Sequence, residues 1–371
     1  MRITFVLPHA GLAGGVRVVA VLASRLQQRG HRLQVISTPP PDMPLRWKLR
    51  MLLTGRGWPA PPRAGEPSHF DGVDVPHRVL ERWRPVTDAD VPDADVVVAT
   101  WWETAEWVAA LSASKGAKVH FIQHDERMMY GPDQAHLQAR SDATWRLPMY
   151  KIVSSAWLAD LARQRCPRMP VSIVHNGVDM SRFHAPLRGR QARPTVGLLY
   201  STVPFKGCDI SLKALERAAR KVPDLHVVAF GARPVDPALP LPPGSDFTCQ
   251  PAQDAIRHIY ARCDVWLCGS RGEGFHLPPL EAMACRCPVV STRVGGPMDI
   301  IQDGVNGFLV PVEDVDALAD RLVRVLSLSP AQWQRMSDAA HATALRCTWD
   351  QAAERVEQAL QAAVAHNLQA R

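Results

Sequence analysis

The fold is decided by the stretch Gly269-Ser-Arg-Gly-Glu-Gly-Phe-His-Leu-Pro-Pro-Leu-Glu-Ala-Met-Ala-Cys-Arg-Cys-Pro-Val-Val-Ser-Thr-Arg-Val-Gly-Gly-Pro-Met-Asp299. The apolar run Asp264–Cys268 before it predicts a buried strand, and a glycine-rich loop carrying Glu273 follows. The Pro-Pro pair suits the first turn of a helix, where a missing N–H costs nothing, and Glu281 falls in its first turn or two. A strand, a glycine loop and a helix N-terminus leave backbone N–H groups and the positive end of a helix dipole above the sheet, which predicts an anion site.

Glu273 and Glu281 are the two carboxylates of this stretch, and both can reach a ligand held at the helix N-terminus. A solvated loop Glu and a helix-capping Glu would explain either one alone. The segment Glu273-Gly-Phe-His-Leu-Pro-Pro-Leu-Glu281 resembles the Glu-x7-Glu signature of the retaining family-4 glycosyltransferases of GT-B fold. The resemblance implies an α/β protein with two Rossmann-like, doubly wound parallel-sheet domains facing a cleft. It also implies a nucleotide-sugar donor, a hexosyltransferase-type reaction and no metal or other cofactor.

Length and composition indicate a folded protein of two domains. The chain has 371 residues, of which 46% are hydrophobic and 21% charged. No run approaches 18 apolar residues and no signal peptide precedes the first strand, so we expect no membrane span and a cytoplasmic location. None of the eight cysteines forms a Cys-x-x-Cys pair, which favours reduced, structural thiols.

The net charge of +7 indicates a preference for anionic partners. Lys and Arg are scattered without an aromatic-interleaved motif, which argues against nucleic acid; a phosphorylated substrate or an anionic membrane face fits at least as well. Prolines frame the basic, apolar segment Leu45–Leu53. It predicts either a short helix lying on an anionic bilayer or, as the simpler interpretation, a basic surface loop packed on the domain.

In the first half, two features follow predicted strands where ligands of open sheets bind. Gly14 and Gly15 come between the strand Ile3–Leu7 and a helix, and in the family such paired glycines lie under the donor phosphates or beside the acceptor. His124 emerges after the strand Lys118–Gln123, and resembles the family's histidine near the reacting sugar. It is therefore a candidate catalytic residue together with Glu273.

Two further patterns of the sequence have competing interpretations. Trp101, Trp102 and Trp107 crowd one loop and helix start, either as core aromatics or as a sugar-stacking platform. The Asp314-x-Asp316 pair could bind a metal-nucleotide complex, but it precedes apolar residues at helical spacing and is better explained as helix N-terminal charge. No metal site is predicted.

Asn176-Gly-Val-Asp179 closes the first half and resembles the end of the family's N-terminal domain. In the second half, Lys206 ends a strand-to-helix loop where an ammonium can meet a pyrophosphate. Relatives carry an Arg several residues ahead of this Lys, where this chain has Tyr200 and Ser201, and Arg271 is our candidate for the missing charge. The resemblance assigns donor contacts to Gly14, Gly15, Lys206, Arg271, Gly274, Phe275, His276, Leu277 and Glu281.

The resemblance also predicts the domain organisation. Residues 1–186 are expected to form an acceptor-side domain, onto which a terminal helix at 349–371 packs back. Residues 187–348 are expected to form the nucleotide-sugar domain, after an Arg-, Pro- and Gly-rich linker at His184–Pro194.

The predicted function is transfer of a sugar to a glycan, a lipid-linked or a small-molecule acceptor, in assembly of cell-surface polysaccharide or glycoconjugate, with possible contact with the inner face of the cell membrane. A GT-B-fold epimerase or phosphorylase is one alternative, and a non-enzymatic basic protein that binds membranes or nucleic acid is another. A nicotinamide oxidoreductase is disfavoured because Gly-x-Gly-x-x-Gly and its acidic partner are missing.

Overall fold

The computed structural model describes residues 1–41, 45–54, 57–58 and 67–369, without the side chains of residues 46 and 47. The chain forms two compact units. The first consists of Met1–Val153, Ala162–Ser172 and Ala353–Arg371, and the second of Ser154–Leu161 and Ile173–Ala352.

A seven-stranded sheet forms the centre of the first unit. Its strands are β1 (Arg2–Leu7), β2 (Arg32–Ser37), β3 (His77–Val79), β4 (Val96–Ala99), β5 (Ala117–Ile122), β6 (Tyr150–Val153) and β7 (Val171–Ile173). They lie in the order β3-β2-β1-β4-β5-β6-β7, and the pairs from β3 through β6 are parallel. This is the doubly wound order, in which the direction of winding reverses between β1 and β4.

A six-stranded parallel sheet forms the centre of the second unit. Its strands are β8 (Thr195–Tyr200), β9 (His226–Gly231), β10 (Asp246–Cys249), β11 (Val265–Cys268), β12 (Val289–Thr292) and β13 (Gly307–Val310). The order β10-β9-β8-β11-β12-β13 repeats the arrangement of the first sheet, with the reversal between β8 and β11. The carboxyl ends of these two strands are where an open parallel sheet binds its ligand.

Helices connect the parallel strands, as a parallel sheet requires. Their bounds are α1 (Gly14–Gln28), α2 (Leu45–Leu53), α3 (Trp102–Ala110), α4 (Ala135–Thr144), α5 (Ala156–Arg165), α6 (Cys208–Ala219), α7 (Ile256–Ala261), α8 (Leu277–Ala284), α9 (Pro297–Ile300), α10 (Val315–Leu326), α11 (Pro330–Leu345) and α12 (Trp349–Gln369). Within the described ranges, no helix combines the length and the hydropathy needed to cross a bilayer.

The terminal helix α12 contributes to the first unit from Ala353 onward. Its Glu357 carboxylate lies 2.6 Å from Arg29 Nε and 3.0 Å from His31 Nε2, at the end of α1. Burial of Val356, Leu360 and other apolar residues of α12 accompanies these ion pairs. The ion pairs of Glu357 thus tie α12 to the end of α1.

Two buried basic side chains lie side by side on the neighbouring strands β5 and β6 of the first unit. His120 and Lys151 are register partners on these strands, and both are almost completely buried. The Lys151 ammonium donates to the Leu147 carbonyl at 3.1 Å, and burial lowers its pKa to about 8. Neither ring nitrogen of His120 has a hydrogen-bond partner among the described residues. Burial, and then the Lys151 charge, hold the pKa of His120 well below its ordinary value of 6.5.

We expect His120 to make the fold sensitive to acid. Because the unfolded chain takes up a proton at His120 near pH 6.5 and the folded chain does not, stability should fall as the pH drops below 6.5, by up to about 1.4 kcal/mol per pH unit. Urea unfolding at pH 7.5 and 5.5 should show a smaller loss for His120→Leu than for the unchanged protein. The same substitution at His136, exposed on α4, should leave the loss unchanged. Equal losses for His120→Leu and the unchanged protein would contradict this account.

Candidate functional site

The loops after β8 and β11 meet backbone to backbone at the carboxyl edge of the second sheet. The Arg271 N–H donates to the Phe205 carbonyl at 2.7 Å, and the Gly269 N–H donates to Ser211 Oγ at 3.0 Å. Gly207 adopts a left-handed φ of 57°, and a Cβ there would lie 1.9 Å from the Gly269 carbonyl oxygen. Only glycine allows this approach, so the two loops form one rigid surface.

The contact between these loops brings Lys206 and Glu273 together. Lys206 Nζ lies 3.0 and 2.9 Å from the two carboxylate oxygens of Glu273. Ser270 Oγ donates to Oε1 at 2.9 Å, and His276 Nδ1 lies 3.2 Å from the same oxygen. The Glu273 side chain is 3% exposed, whereas that of Lys206 is 26% exposed. A buried carboxylate is therefore fully partnered, and its cation keeps a face toward solvent.

The loop from Gly274 to His276 leads from Glu273 into the beginning of α8. His276 is the N-cap and adopts the left-handed region, with φ 64° and ψ 81°, which costs a non-glycine residue about 1 kcal/mol. Pro278 and Pro279 have no N–H, and the N–H of Leu280, at the fourth helical position, bonds back to the N-cap carbonyl, so the first helical turn offers only the N–H of Leu277. An anion at this edge therefore depends on the loop amides from Gly274 to His276 as much as on the helix.

Two glycines after β12 support the loop from behind, and the sequence analysis gave them no role. The Gly296 N–H donates to the Gly274 carbonyl at 3.0 Å. A Cβ on Gly295 would lie 2.1 Å from the Gly274 carbonyl oxygen, and one on Gly296 would lie 2.0 Å from that of Phe275. Gly-Gly shortly after the apolar run of β12 was the available signal, but the loop that it supports lies about twenty residues earlier in the chain.

Gly296→Ala should destabilise the second unit by about 1–3 kcal/mol, because the new methyl group collides with the Phe275 carbonyl and not with a movable side chain. The Glu273 loop should shift, and affinity for a bound nucleotide should fall with it. Urea unfolding would measure the first effect and calorimetric titration the second. Gly189→Ala is the control, since a Cβ there meets nothing within 4 Å. If both variants unfold alike, the loop is not supported as described.

Glu281 lies one turn into α8 and is 5% exposed. The Tyr260 hydroxyl, at 2.9 Å, donates to its Oε2. The sequence analysis missed Tyr260, which is completely buried at the end of the short helix α7. No local pattern marks it, because the two residues are 21 positions apart.

Arg271 has partners within its own unit. Its Nη1 and Nη2 each lie 2.8 Å from one oxygen of the Asp209 carboxylate, and its Nε contacts Glu313. The Asp209 carboxylate raises the pKa of Arg271 above its ordinary value. These bonds hold the beginning of α6 against the Glu273 loop, and a contact between Arg271 and a donor stays a prediction.

The remaining candidates lie in the first unit. Gly14 and Gly15 begin α1, and Gln123 Nε2 donates to the Gly15 carbonyl at 3.2 Å, so the end of β5 contacts the glycine pair. His124, next along, is half-buried, with Nδ1 2.9 Å from the Asp125 carbonyl oxygen. The structure thus brings Gly15 close to the end of β5, two residues before His124. The roles of Gly14, Gly15 and His124 in binding and catalysis stay predictions.

The structure also places the tryptophan cluster and the Asp314-x-Asp316 pair, which each had two interpretations. Trp102 and Trp107 are buried in the core, and Trp101 is half-buried at the end of β4. Asp314 caps α10 by accepting the Ala317 N–H at 2.9 Å. Across the four described ranges, no three His, Cys, Asp or Glu side chains are grouped so that they could hold a metal ion.

Two family models match this chain. The one described as Glycosyltransferase Family 4 matches residues 12–182, and the one described as Glycosyl transferases group 1 matches residues 193–328.

The chain is similar to several inositol phosphate glycosyltransferases. The D-inositol 3-phosphate glycosyltransferase of Mycobacterium avium is 34% identical over 198 residues, which are 48% of this chain and 46% of that protein. Relatives at 33–36% identity are matched over less than half of their length. The protein of the same name from Mycobacterium leprae is 28% identical over 92% of this chain and 87% of its own length.

Solved structures resemble the whole fold. Sucrose-phosphate synthase from Thermosynechococcus elongatus has a TM-score of 0.69 at 17% identity, covering 96% of this chain and 98% of its own. Anabaena Alr3699/HepE in complex with UDP-glucose has a TM-score of 0.71 at 18% identity, covering 98% and 100%. Because the matched ranges extend through both units and include both carboxylates of the Glu-x7-Glu segment, the chain belongs to glycosyltransferase family 4 and has the GT-B fold.

Proposed function

We propose that this protein is a retaining, metal-independent glycosyltransferase, which moves a hexosyl unit from a nucleotide-sugar donor to a glycan, a lipid-linked or a small-molecule acceptor. The observation that carries the proposal is the ion pair between the half-buried Lys206 and the buried Glu273 at the reversal point of the second sheet, with Glu281 buried in α8. At such a point the cation can bind the diphosphate of a nucleotide-sugar donor, and the two acidic side chains can bind the hydroxyls of the donor sugar and of the ribose.

The chemistry follows from where charge develops. As the bond between sugar and diphosphate breaks, negative charge grows on the diphosphate. Lys206 and the loop amides from Gly274 to Leu277 would stabilise that charge more strongly in the transition state than in the bound donor, which lowers the barrier. We assign Glu273 to the hydroxyls of the donor sugar near the reacting carbon, and Glu281 to the ribose hydroxyls.

Similar proteins guide the choice of substrates. Anabaena HepE has been solved with UDP and with UDP-glucose, so a UDP-sugar is the first donor to test. The relatives named above carry D-inositol 3-phosphate in their name. For this chain, the acceptor and the place in polysaccharide or glycoconjugate assembly are part of the proposal. In the first unit, we assign His124 to the reacting sugar, and Gly14 and Gly15 to the donor phosphates or the acceptor.

The proposal is tested first by binding and then by products. UDP-, GDP- and dTDP-sugars should be screened by thermal shift, because a ligand at 100 times its Kd stabilises the fold by about 2.7 kcal/mol. The stabilising donor is then incubated with acceptors in the presence of EDTA, and the anomeric configuration of the product is assigned by NMR. Free epimerised sugar would favour the epimerase alternative, and sugar phosphate the phosphorylase. No stabilisation by any nucleotide would contradict the proposal.

We further propose that α2 contacts an anionic membrane. On this helix Leu49, Leu52 and Leu53 are 45%, 52% and 86% exposed, beside Lys48 and Arg50. Exposed leucines with basic neighbours suit the boundary between headgroups and acyl chains.

Sedimentation with vesicles tests the membrane contact. The protein should sediment with phosphatidylglycerol-containing vesicles and much less with phosphatidylcholine alone. A Leu52→Glu, Leu53→Glu variant should lose this binding, whereas Leu187→Glu, at an exposed position of the linker, should keep it. Equal binding by the two variants would refute a contact through α2.

A further inference from the structure

The Glu281 carboxylate is held by a second side chain of its own unit. We infer that Tyr260 is a positioning residue, which orients Glu281 so that its carboxylate accepts hydrogen bonds from the ribose hydroxyls of the donor. The inference rests on the proposed function, since it takes the ribose as the ligand of Glu281.

The burial of Glu281 makes its orientation depend on a protein partner. At 5% exposure, water cannot solvate both carboxylate oxygens, and a buried carboxylate is unstable unless protein groups donate to it. The Tyr260 hydroxyl has one proton, and at 2.9 Å it is directed to Oε2. Hydrogen bonds to an ionised acceptor are about twice as strong as neutral ones, so this bond favours the orientation in which Oε2 faces the phenol.

Tyr260 in turn is fixed by aromatic packing. Its ring centroid lies 4.6 Å from that of Trp266 on β11, 5.9 Å from that of Phe230 on β9, and 6.2 Å from that of Phe183, all edge to face. The residue has no exposed surface. Because a tyrosine has only two side-chain torsions, a ring held on three sides fixes the hydroxyl oxygen as well. Glu281 is thus tied to the sheet through a rigid phenol.

This arrangement has a consequence for ligand choice. A carboxylate offers about four lone-pair positions, and the phenol occupies one of them. A carboxylate oriented in this way can still accept from the neighbouring 2′- and 3′-hydroxyls of a ribose, whereas a 2′,3′-dideoxyribose has no such hydroxyl to donate. Loss of the Tyr260 hydroxyl should therefore weaken binding of a ribonucleotide and leave binding of its dideoxy analogue unchanged.

The test compares UDP with 2′,3′-dideoxyuridine diphosphate by calorimetric titration, or the same pair with guanine if GDP-sugars give the larger thermal shift. The unchanged protein should bind the ribonucleotide more tightly. Tyr260→Phe should raise the Kd of the ribonucleotide about 10-fold, as for a lost hydrogen bond to a charged group, and leave that of the dideoxy analogue within about twofold. In the transfer assay, the KM for the donor should rise and kcat should change little.

Two variants separate positioning from a general structural effect. The Tyr200 hydroxyl is another buried hydroxyl of the same unit, and it donates to the Leu239 carbonyl at 2.8 Å and accepts the Asp236 N–H at 2.9 Å. Tyr200→Phe should leave the ratio of the ribonucleotide and dideoxynucleotide Kd values unchanged. In a Glu281→Ala background, where no side-chain acceptor is left, Tyr260→Phe should add no further loss of ribonucleotide affinity.

The outcomes distinguish this inference from the proposed function. Equal weakening of both nucleotides by Tyr260→Phe, or a Tyr260→Phe protein that still prefers the ribonucleotide as strongly as the unchanged protein, would overturn the role of Tyr260 alone. An unchanged protein that binds no nucleoside diphosphate would overturn the proposed function, and the inference with it.

Discussion

Glu273→Gln is expected to lower kcat/KM for sugar transfer by about 100- to 1,000-fold, the scale found when one preorganised polar group is removed from an active site. The amide has nearly the same shape as the carboxylate but no charge. It can neither bind the Lys206 ammonium with both oxygens, as at 3.0 and 2.9 Å, nor accept hydrogen bonds at both ends from the donor sugar. Initial-rate kinetics with the stabilising UDP-sugar, following release of UDP, would measure the loss.

The fold should tolerate this substitution better than the activity does. Lys206 is 26% exposed, so an ammonium released by Glu273→Gln can turn to water. Glu313→Gln is the matched control, because Glu313 contacts Arg271 on the same surface but lies outside the ion pair, and it should leave kcat/KM unchanged. A Glu273→Gln protein within tenfold of the unchanged activity would contradict the assigned role, and full function would favour the non-enzymatic alternative.

Lys206→Met is expected to lower kcat/KM by a similar factor and, in addition, the free energy of unfolding by about 3 kcal/mol. Methionine keeps much of the length of the side chain and removes the charge that faces the developing diphosphate. It also leaves the Glu273 carboxylate, at 3% exposure, without its cation, and an uncompensated buried charge is far more costly than an exposed one. Kinetics and urea unfolding on one preparation would measure both effects.

A double variant separates the two causes. Lys206→Met combined with Glu273→Gln contains no buried unpaired charge, so it should be more stable than Lys206→Met alone while remaining inactive. Lys221→Met is the control, because its ion pair with Asp320 is exposed on both sides and should matter to neither measurement. A double variant no more stable than Lys206→Met would show that the buried charge is not what destabilises the single variant.

Most of the sheet strands could be predicted from local patterns, and the two strands that could not be predicted are both short and polar. The central strands are continuous apolar runs, such as Thr195–Tyr200, because parallel strands are covered on both faces. The edge strands β3 (His77–Val79) and β10 (Asp246–Cys249) were missed, since they are short, polar and largely exposed. Helix α11 was also missed, although Ser329 and Gln332 form a capping box at its beginning.

In the candidate site too, local features were predicted from the sequence, whereas contacts between distant residues were not. The residues from Gly274 to Leu277 were predicted together because strand, glycine loop and helix are adjacent in the chain. Lys206 and Glu273 were assigned separately, one to a pyrophosphate and one to a sugar, and nothing in their spacing of 67 residues showed that they form an ion pair. Arg271 was expected to face the donor, and its bonds to Asp209 could not be foreseen because they depend on how two loops pack.

The sequence by itself determined the doubly wound fold and the family, and it predicted an anion site at the Glu273 loop, because each depends on residue types within one strand–loop–helix unit. Only the tertiary structure decided which side chains hold the two carboxylates: Lys206, Ser270 and His276 for Glu273, and Tyr260 for Glu281. The physical reason is that buried charges need partners: the sheet order β8-β11 brings Lys206 to Glu273, and the packing of α7 against α8 brings Tyr260 to Glu281, whereas Ser270 and His276 are chain neighbours of Glu273.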